Sequence, residues 1–262
     1  MPVKVFFIGD IIGKPGRLAV SRELDRLVDR YLLDLVIANG ENSAGGFGIT
    51  AEVALELHRA GVHLLTSGNH VWDKKESLDF VKDVPYLLRP ANYPEGTPGV
   101  GSTVVTTAGG TKVAVLNLEG RVFMNNLDCP FRTADREINR LREITPVVIV
   151  DFHAEATSEK AALGWYLDGR ASAVIGTHTH VQTADERILP HGTAYLTDAG
   201  MTGSFDSVIG MRKEEAIEKF LTQLPKRFEV AKKDVRLNGV YLEIDDVSGK
   251  ALAIERINIG SV

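Results

Sequence analysis

Five short apolar runs, each followed within three residues by an oxygen or nitrogen donor side chain, constrain this chain more than any other feature. They are Val3–Ile8, Leu35–Ala38, Val62–Thr66, Pro146–Val150 and Ala173–Ile175. Short apolar runs bounded by turn residues read as strands, and those with little polar alternation read as strands buried on both faces. Between them lie stretches with helical spacing. One opens at Lys14-Pro15 and carries Leu18, Leu24, Leu27, Val28 and Tyr31; another runs Ala51–Ala60 behind a Thr50 cap. Asp135–Ile144, Ser158–Tyr166 and Met211–Leu221 complete the set. Strands alternating with helices build sheets with helices on their faces. Such sheets present their chemistry at the C-terminal ends of the strands.

The strand tips are where this chain keeps its donors. Asp10 follows the first run, and Asn39-Gly-Glu-Asn42 brings Glu41 and Asn42 after the second. Ser67-Gly-Asn-His70 brings Asn69 and His70 after the third, and His153 follows the fourth. Gly176-Thr-His-Thr-His180 follows the fifth. Strand side chains alternate with period two, so His178 and His180 are expected on one side of that strand's end. The sole cysteine, Cys129, leaves no disulfide framework and no thiolate zinc site. Seven oxygen and nitrogen donors remain: Asp10, Glu41, Asn42, Asn69, His153, His178 and His180. Seven exceeds one ordinary site. It suits two divalent metals sharing a carboxylate at about 3.5–4 Å separation. Mixed oxygen and nitrogen ligation suits iron or manganese, with zinc as the other candidate. His70 is left over as a candidate proton donor, while His58, His63 and His191 read as structural or surface residues.

The rest of the pattern is quieter. Asp73–Lys82 reads as a short exposed helix, and residues 119–135 as a loop or small lid. Ser102–Thr107 and Lys112–Leu118 form a hairpin around Gly109-Gly110, and Thr193–Thr197 is a further strand. Asn238–Ile244 and Ala251–Ile257 alternate as two antiparallel strands. The glycine-rich stretch 43–50 lacks Gly-Lys-Ser/Thr, and the dinucleotide fingerprint is missing after the first strand. Those absences argue against a triphosphate loop and a nicotinamide oxidoreductase. No linker forces a second domain, so residues 1–262 read as one. A net charge of −5 argues against a broad nucleic-acid-binding face but leaves room for a small anionic substrate held by metals. Without a signal-peptide pattern or a run of spanning length, the reading is a cytoplasmic protein away from membranes.

The order Gly-Asp, Gly-Glu-Asn, Gly-Asn-His, a lone His and Gly-x-His-x-His covers residues 9–180. It resembles the calcineurin-like metallophosphoesterase superfamily. There the first motif is usually Asp-x-His, where this chain has Asp10-Ile11-Ile12. The second usually carries a bridging Asp, where this chain has Glu41 with Asn42 alongside. These departures resemble the bacterial YmdB-type branch. The resemblance implies a four-layer αββα fold, two packed mixed β-sheets flanked by helices. It implies one metal on Asp10, Glu41, Asn42 and His180, and another on Glu41, Asn69, His153 and His178. Glu41 would bridge, and His70 would protonate the leaving oxygen. It further implies a homo-oligomer hydrolysing small phosphodiesters, notably 2′,3′-cyclic nucleotides, by attack of a metal-bound hydroxide. Two other readings stay open. One is a nucleotidase-like phosphomonoesterase on the same site. The other is a regulatory protein binding a nucleotide or partner with weak catalysis, which the missing Asp-x-His histidine favours.

Overall fold

Period-two alternation inside the apolar runs sends neighbouring side chains into different cores. In β1 (Val3–Ile8) and β3 (Leu35–Asn39), Phe6, Ile8, Val36 and Ala38 face one core, while Val5, Phe7, Leu35 and Ile37 face another. A strand with a core on each side has no wet face, which is why these runs show no polar alternation. The computed structural model describes residues 2–260.

The first sheet is mixed. β1, β3 and β4 (Leu64–Thr66) run parallel. β12 (Val235–Ile244) pairs antiparallel with β1 and also with β13 (Ala251–Gly260). Two short strands, β2 (Asp10–Ile11) and β11 (Met201–Ser204), pair in parallel and close the far edge. The second sheet has a parallel centre of β6 (Lys112–Glu119), β7 (Val148–His153), β8 (Ala173–Thr177) and β10 (Ala194–Leu196). Its antiparallel edges are β5 (Ser102–Thr106) and β9 (Arg187–Ile188).

Helices cover both outer faces. α1 (Gly13–Tyr31) and α2 (Ala51–Arg59) set Leu24, Leu27, Val53 and Leu57 against the first sheet. α4 (Pro130–Arg142) and α5 (Thr157–Tyr166) set Ile138, Leu141 and Leu163 against the second, after the four-residue α3 (Ser77–Phe80). Between the sheets, Val5, Phe7 and Ile37 meet Val115, Ile149 and Ile175. The architecture is therefore the four-layer αββα arrangement, with the main core between the sheets. Thr50 caps α2 as expected, its Oγ1 accepting the Val53 N–H at 3.2 Å.

Some expectations give way. The helix anticipated over 73–82 shrinks to α3, where buried Ser77 spends its hydroxyl on the Ile49 carbonyl. α4 begins at Pro130, so the aperiodic stretch ends earlier than 135. Proline at the first helical position needs no N–H partner and starts that turn. The short strands β2, β9 and β11 carry too few residues to show a period.

Candidate metal centre

The C-terminal tips of the parallel strands in both sheets meet at one edge of the sandwich. Side-chain amides stitch the two sheets together there. Asn117 exchanges two hydrogen bonds with the Ser67 backbone, accepting at 3.0 Å and donating at 2.9 Å. Asn39 Nδ2 donates to Asp151 Oδ2 across the sheets at 3.2 Å. Beyond these stitches the chain places all seven anticipated donors in one contiguous cluster.

The cluster has two lobes that share Glu41. In one, His153 Nε2 lies 3.1 Å from Glu41 Oε1, 3.0 Å from Asn69 Oδ1 and 3.0 Å from His178 Nδ1. Glu41, His153 and His178 offer atoms within 4.8 Å of one another, a group able to hold a metal ion. In the other lobe, Asn42 Nδ2 lies 3.2 Å from Glu41 Oε1 and 3.3 Å from His180 Nε2. Asp10 Oδ1 stands between the lobes, 3.9 Å from His180 Nε2 and 3.9 Å from His153 Nδ1. Asp10, Glu41 and His153 are fully buried.

His178 and His180 do not arrive by strand alternation. β8 ends at Thr177, and both histidines sit in the turn beyond it with φ of 99° and 66°. Such backbone is uncommon outside glycine and concentrates at functional sites. Asp198 secures the turn. Its Oδ2 accepts the Thr179 N–H at 3.0 Å and the Thr179 hydroxyl at 2.7 Å, and pairs with Lys160 Nζ at 2.7 Å. Asp10 Oδ2 accepts the His178 N–H at 3.2 Å.

Each cluster histidine turns one nitrogen inward and sets the other on an oxygen. His153 Nδ1 meets Thr177 Oγ1 at 2.9 Å, and that hydroxyl donates to Asp151 at 2.7 Å. His178 Nε2 meets Glu155 at 3.1 Å, and His180 Nδ1 meets the Ile209 carbonyl at 3.0 Å. This arrangement fixes the tautomer and ring angle of a metal-binding imidazole. The sequence does not announce the roles of Thr177, Asp151, Glu155, Asp198 and Ile209, because their contacts depend on packing between segments; even Thr177, inside Gly176-Thr-His-Thr-His180, meets a histidine of another strand.

The donors fit a cation on local grounds. Asp10 Oδ1 and Asn42 Oδ1 are buried with no hydrogen-bond partner. Buried polar atoms left alone are costly, and two in one cluster ask for a charge to meet them. Burial resists ionisation of Glu41, yet His153 and the His70 N–H bring its carboxyl down to about 2. The cluster's negative field lifts His153 to about 9 despite its burial. Burial, then the neighbouring His153, lowers His178 to about 3, which keeps its lone pair available at neutral pH.

His70 sits on the cluster's rim. Its N–H donates to Glu41 Oε2 at 3.0 Å, and its Nδ1 meets Asp73 Oδ2 at 2.7 Å. Ile12, at the position where the related motif has histidine, is fully buried beside Met201 and Met211. The remaining histidines are structural. His58 Nδ1 meets the Val62 carbonyl at 3.0 Å, His63 Nδ1 accepts the Val36 N–H at 3.0 Å, and His191 Nδ1 meets Asp168 at 2.8 Å.

A family model described as YmdB-like protein matches residues 6–257. The chain belongs to the YmdB-like family. A family relative from Bacillus subtilis (strain 168), 2′,3′-cyclic-nucleotide 2′-phosphodiesterase, is 54% identical over 98% of this chain and 97% of its own. A solved structure from Thermus thermophilus, titled a hypothetical protein, superposes with a TM-score of 0.93 at 45% identity, covering 99% and 100% of the two chains. Another, titled a novel phosphatase from Mycoplasma pneumoniae, gives 0.92 at 38% identity over 99% and 94%. These matches span whole chains, so the four-layer fold and the YmdB-like assignment rest on the same residues. Among the described residues, no helix is long and apolar enough to cross a membrane.

Proposed function

We propose that this chain is a metal-dependent phosphodiesterase acting on 2′,3′-cyclic nucleotides. The observation that carries the reading is the two-lobed donor cluster sharing Glu41, with a partnerless buried oxygen on both Asp10 and Asn42. The B. subtilis relative's activity supports the substrate class. Asp10, Glu41, Asn42 and His180 would hold one divalent ion; Glu41, Asn69, His153 and His178 would hold the second. Iron or manganese suits these donors first, and zinc next. Bound there, such ions supply Lewis-acid polarisation of phosphoryl oxygens and lower the pKa of water.

The chain's own residues do the rest. Asp73 orients the His70 ring through Nδ1, which leaves Nε2 to carry a proton toward the departing ribose oxygen. The His70 N–H on Glu41 ties that acid to the cluster. Asp198 and Asp10 hold the His178–His180 turn through backbone N–H groups, so both lobes keep their spacing while substrate exchanges.

Elemental analysis of the purified protein, paired with turnover of adenosine 2′,3′-cyclic phosphate, tests the reading. Expected are bound divalent metal, loss of turnover on chelation, and recovery with manganese or iron. A protein that is purified without divalent metal and takes up neither manganese nor iron overturns it. The similarity to the M. pneumoniae phosphatase motivates one further arm. Faster hydrolysis of 4-nitrophenyl phosphate than of its bis ester would move the assignment to a phosphomonoesterase.

A further inference from the structure

A cavity of about 510 Å³ opens directly from the donor cluster, with Glu41, Asn42, His178 and His180 in its lining. Away from the site the lining changes character. Phe47, Ile209, Met211 and Phe228 contribute carbon, and the polar side chains outside the donors and His70 are Glu155, Thr179, Lys219 and Gln223. An anion-binding end next to an aromatic and aliphatic end suits a ligand with a charged head and a flat apolar tail.

Ile209 joins the two ends. It is β-branched yet takes a left-handed φ of 47°, and its residue surface is 53% exposed. That combination is a genuine backbone outlier for a branched side chain. The same residue's carbonyl receives His180 Nδ1 at 3.0 Å. The strained backbone therefore orients a cluster histidine while holding an apolar side chain at the cavity. Nearby, Phe228 carries Lys219 Nζ 4.9 Å from its ring centroid, and Phe47 stands edge-on to His70 at 5.3 Å. Phe47 thus stands beside His70 and Phe228 beside Lys219, both rings in the cavity lining.

We propose that this cavity is the nucleobase subsite, in which the base stacks on the shelf of Phe47, Ile209, Met211 and Phe228 while the phosphate lies at the cluster. The proposal rests on the phosphodiesterase reading for the identity of the ligand. Every base has a π-face, so stacking tolerates any of them. With stacking as the main contact, the subsite accepts purines and pyrimidines alike. Met211 and Phe228 come from the segment around α6 (Lys213–Thr222), so that region sets affinity without entering the donor cluster.

Calorimetric titration of manganese-loaded protein tests it. The probes are adenosine 3′-monophosphate and methyl riboside 3-phosphate, which share a phosphate and differ by the base. The expected wild-type preference for the nucleotide is about tenfold, the scale of one base stacked on an aromatic ring. Phe228→Ala and Ile209→Gly are each expected to bring that ratio close to one. Glycine accepts the left-handed backbone without strain, so the second variant keeps the turn and removes only the side chain. Equal binding of both probes by the wild type, binding of neither, or a ratio unchanged in both variants overturns the subsite. A preserved ratio in a protein that hydrolyses no cyclic nucleotide supports the subsite and overturns the reaction, so the two failures are distinguishable.

Discussion

Lys160→Met is expected to loosen the metal centre without touching a donor. Lys160 and Asp198 form a 2.7 Å ion pair whose side chains are 1% and 0% exposed. Asp198 also accepts both polar groups of Thr179, the residue between His178 and His180, and the Gly200 N–H at 2.8 Å. Removing one partner of a buried pair costs roughly 3–5 kcal/mol, because the other charge is left uncompensated. The three remaining hydrogen bonds to Asp198 place the expectation at the low end, about 3 kcal/mol. For a domain of this size each kcal/mol shifts the midpoint by about 2–4 °C, so the Tm should fall by about 6–12 °C. Melting is followed by circular dichroism in the presence of chelator, so that metal binding does not mask the change. Manganese titration of the same variant should show an affinity about 10–100-fold weaker, the usual effect of losing a group that orients a ligand. Lys160→Met/Asp198→Asn should recover part of the Tm, since no buried charge remains, but not the affinity. A variant within about 1 °C of wild type with unchanged manganese affinity refutes the reasoning; a natural spread of that size is ordinary for surface changes.

Two further outcomes follow from residues near and far from the cluster. His70→Ala should keep its metal content and lose about 10²–10⁴-fold in kcat on a diester with an alkoxide leaving group; undiminished turnover would remove His70 from the role of acid. His63 should make folding pH-dependent. Burial, and then His58, hold its pKa below 6.5, and its Nδ1 must stop accepting the Val36 N–H to take a second proton. The unfolded chain then binds a proton more readily than the folded one. Stability is therefore full above the unfolded pKa, about 6.5, and is lost as pH falls below it. His63→Gln should show a flatter Tm profile between about pH 7.5 and 5 than the wild type; identical slopes would contradict this.

The strands were legible because burial on both faces writes a local signature. Val3–Ile8 matches β1, and the donor residues at the tips could be named from sequence since parallel strands all deliver their C-terminal ends to one edge. Thr50 likewise announced a helix start that its hydroxyl makes. The assignment of residues to two metals rests on a motif resemblance; in the structure Glu41 and Asp10 both touch residues of either group, Asp10 through His153 and the His178 N–H as well as His180.

Other features had no local signature to read. The pairing of β2 with β11 joins Asp10 to Met201 and Ile11 to Thr202, residues far apart in the chain, through two residues each. Asn39 and Asp151 are 112 positions apart, and Lys160 and Asp198 are 38 apart. Nothing in a window around any of them predicts the partner. His178 and His180 were expected to converge by strand alternation, and instead converge through a turn in left-handed backbone that Asp198 and Asp10 hold. The amino-acid sequence by itself determined which residues are candidate donors and which strands lead to them, because periodicity and burial are local properties of a chain. Only the tertiary structure decided the angle of each imidazole, the charge that fixes the turn and the shape of the cavity beside it. Those depend on side chains that become neighbours after both sheets have packed.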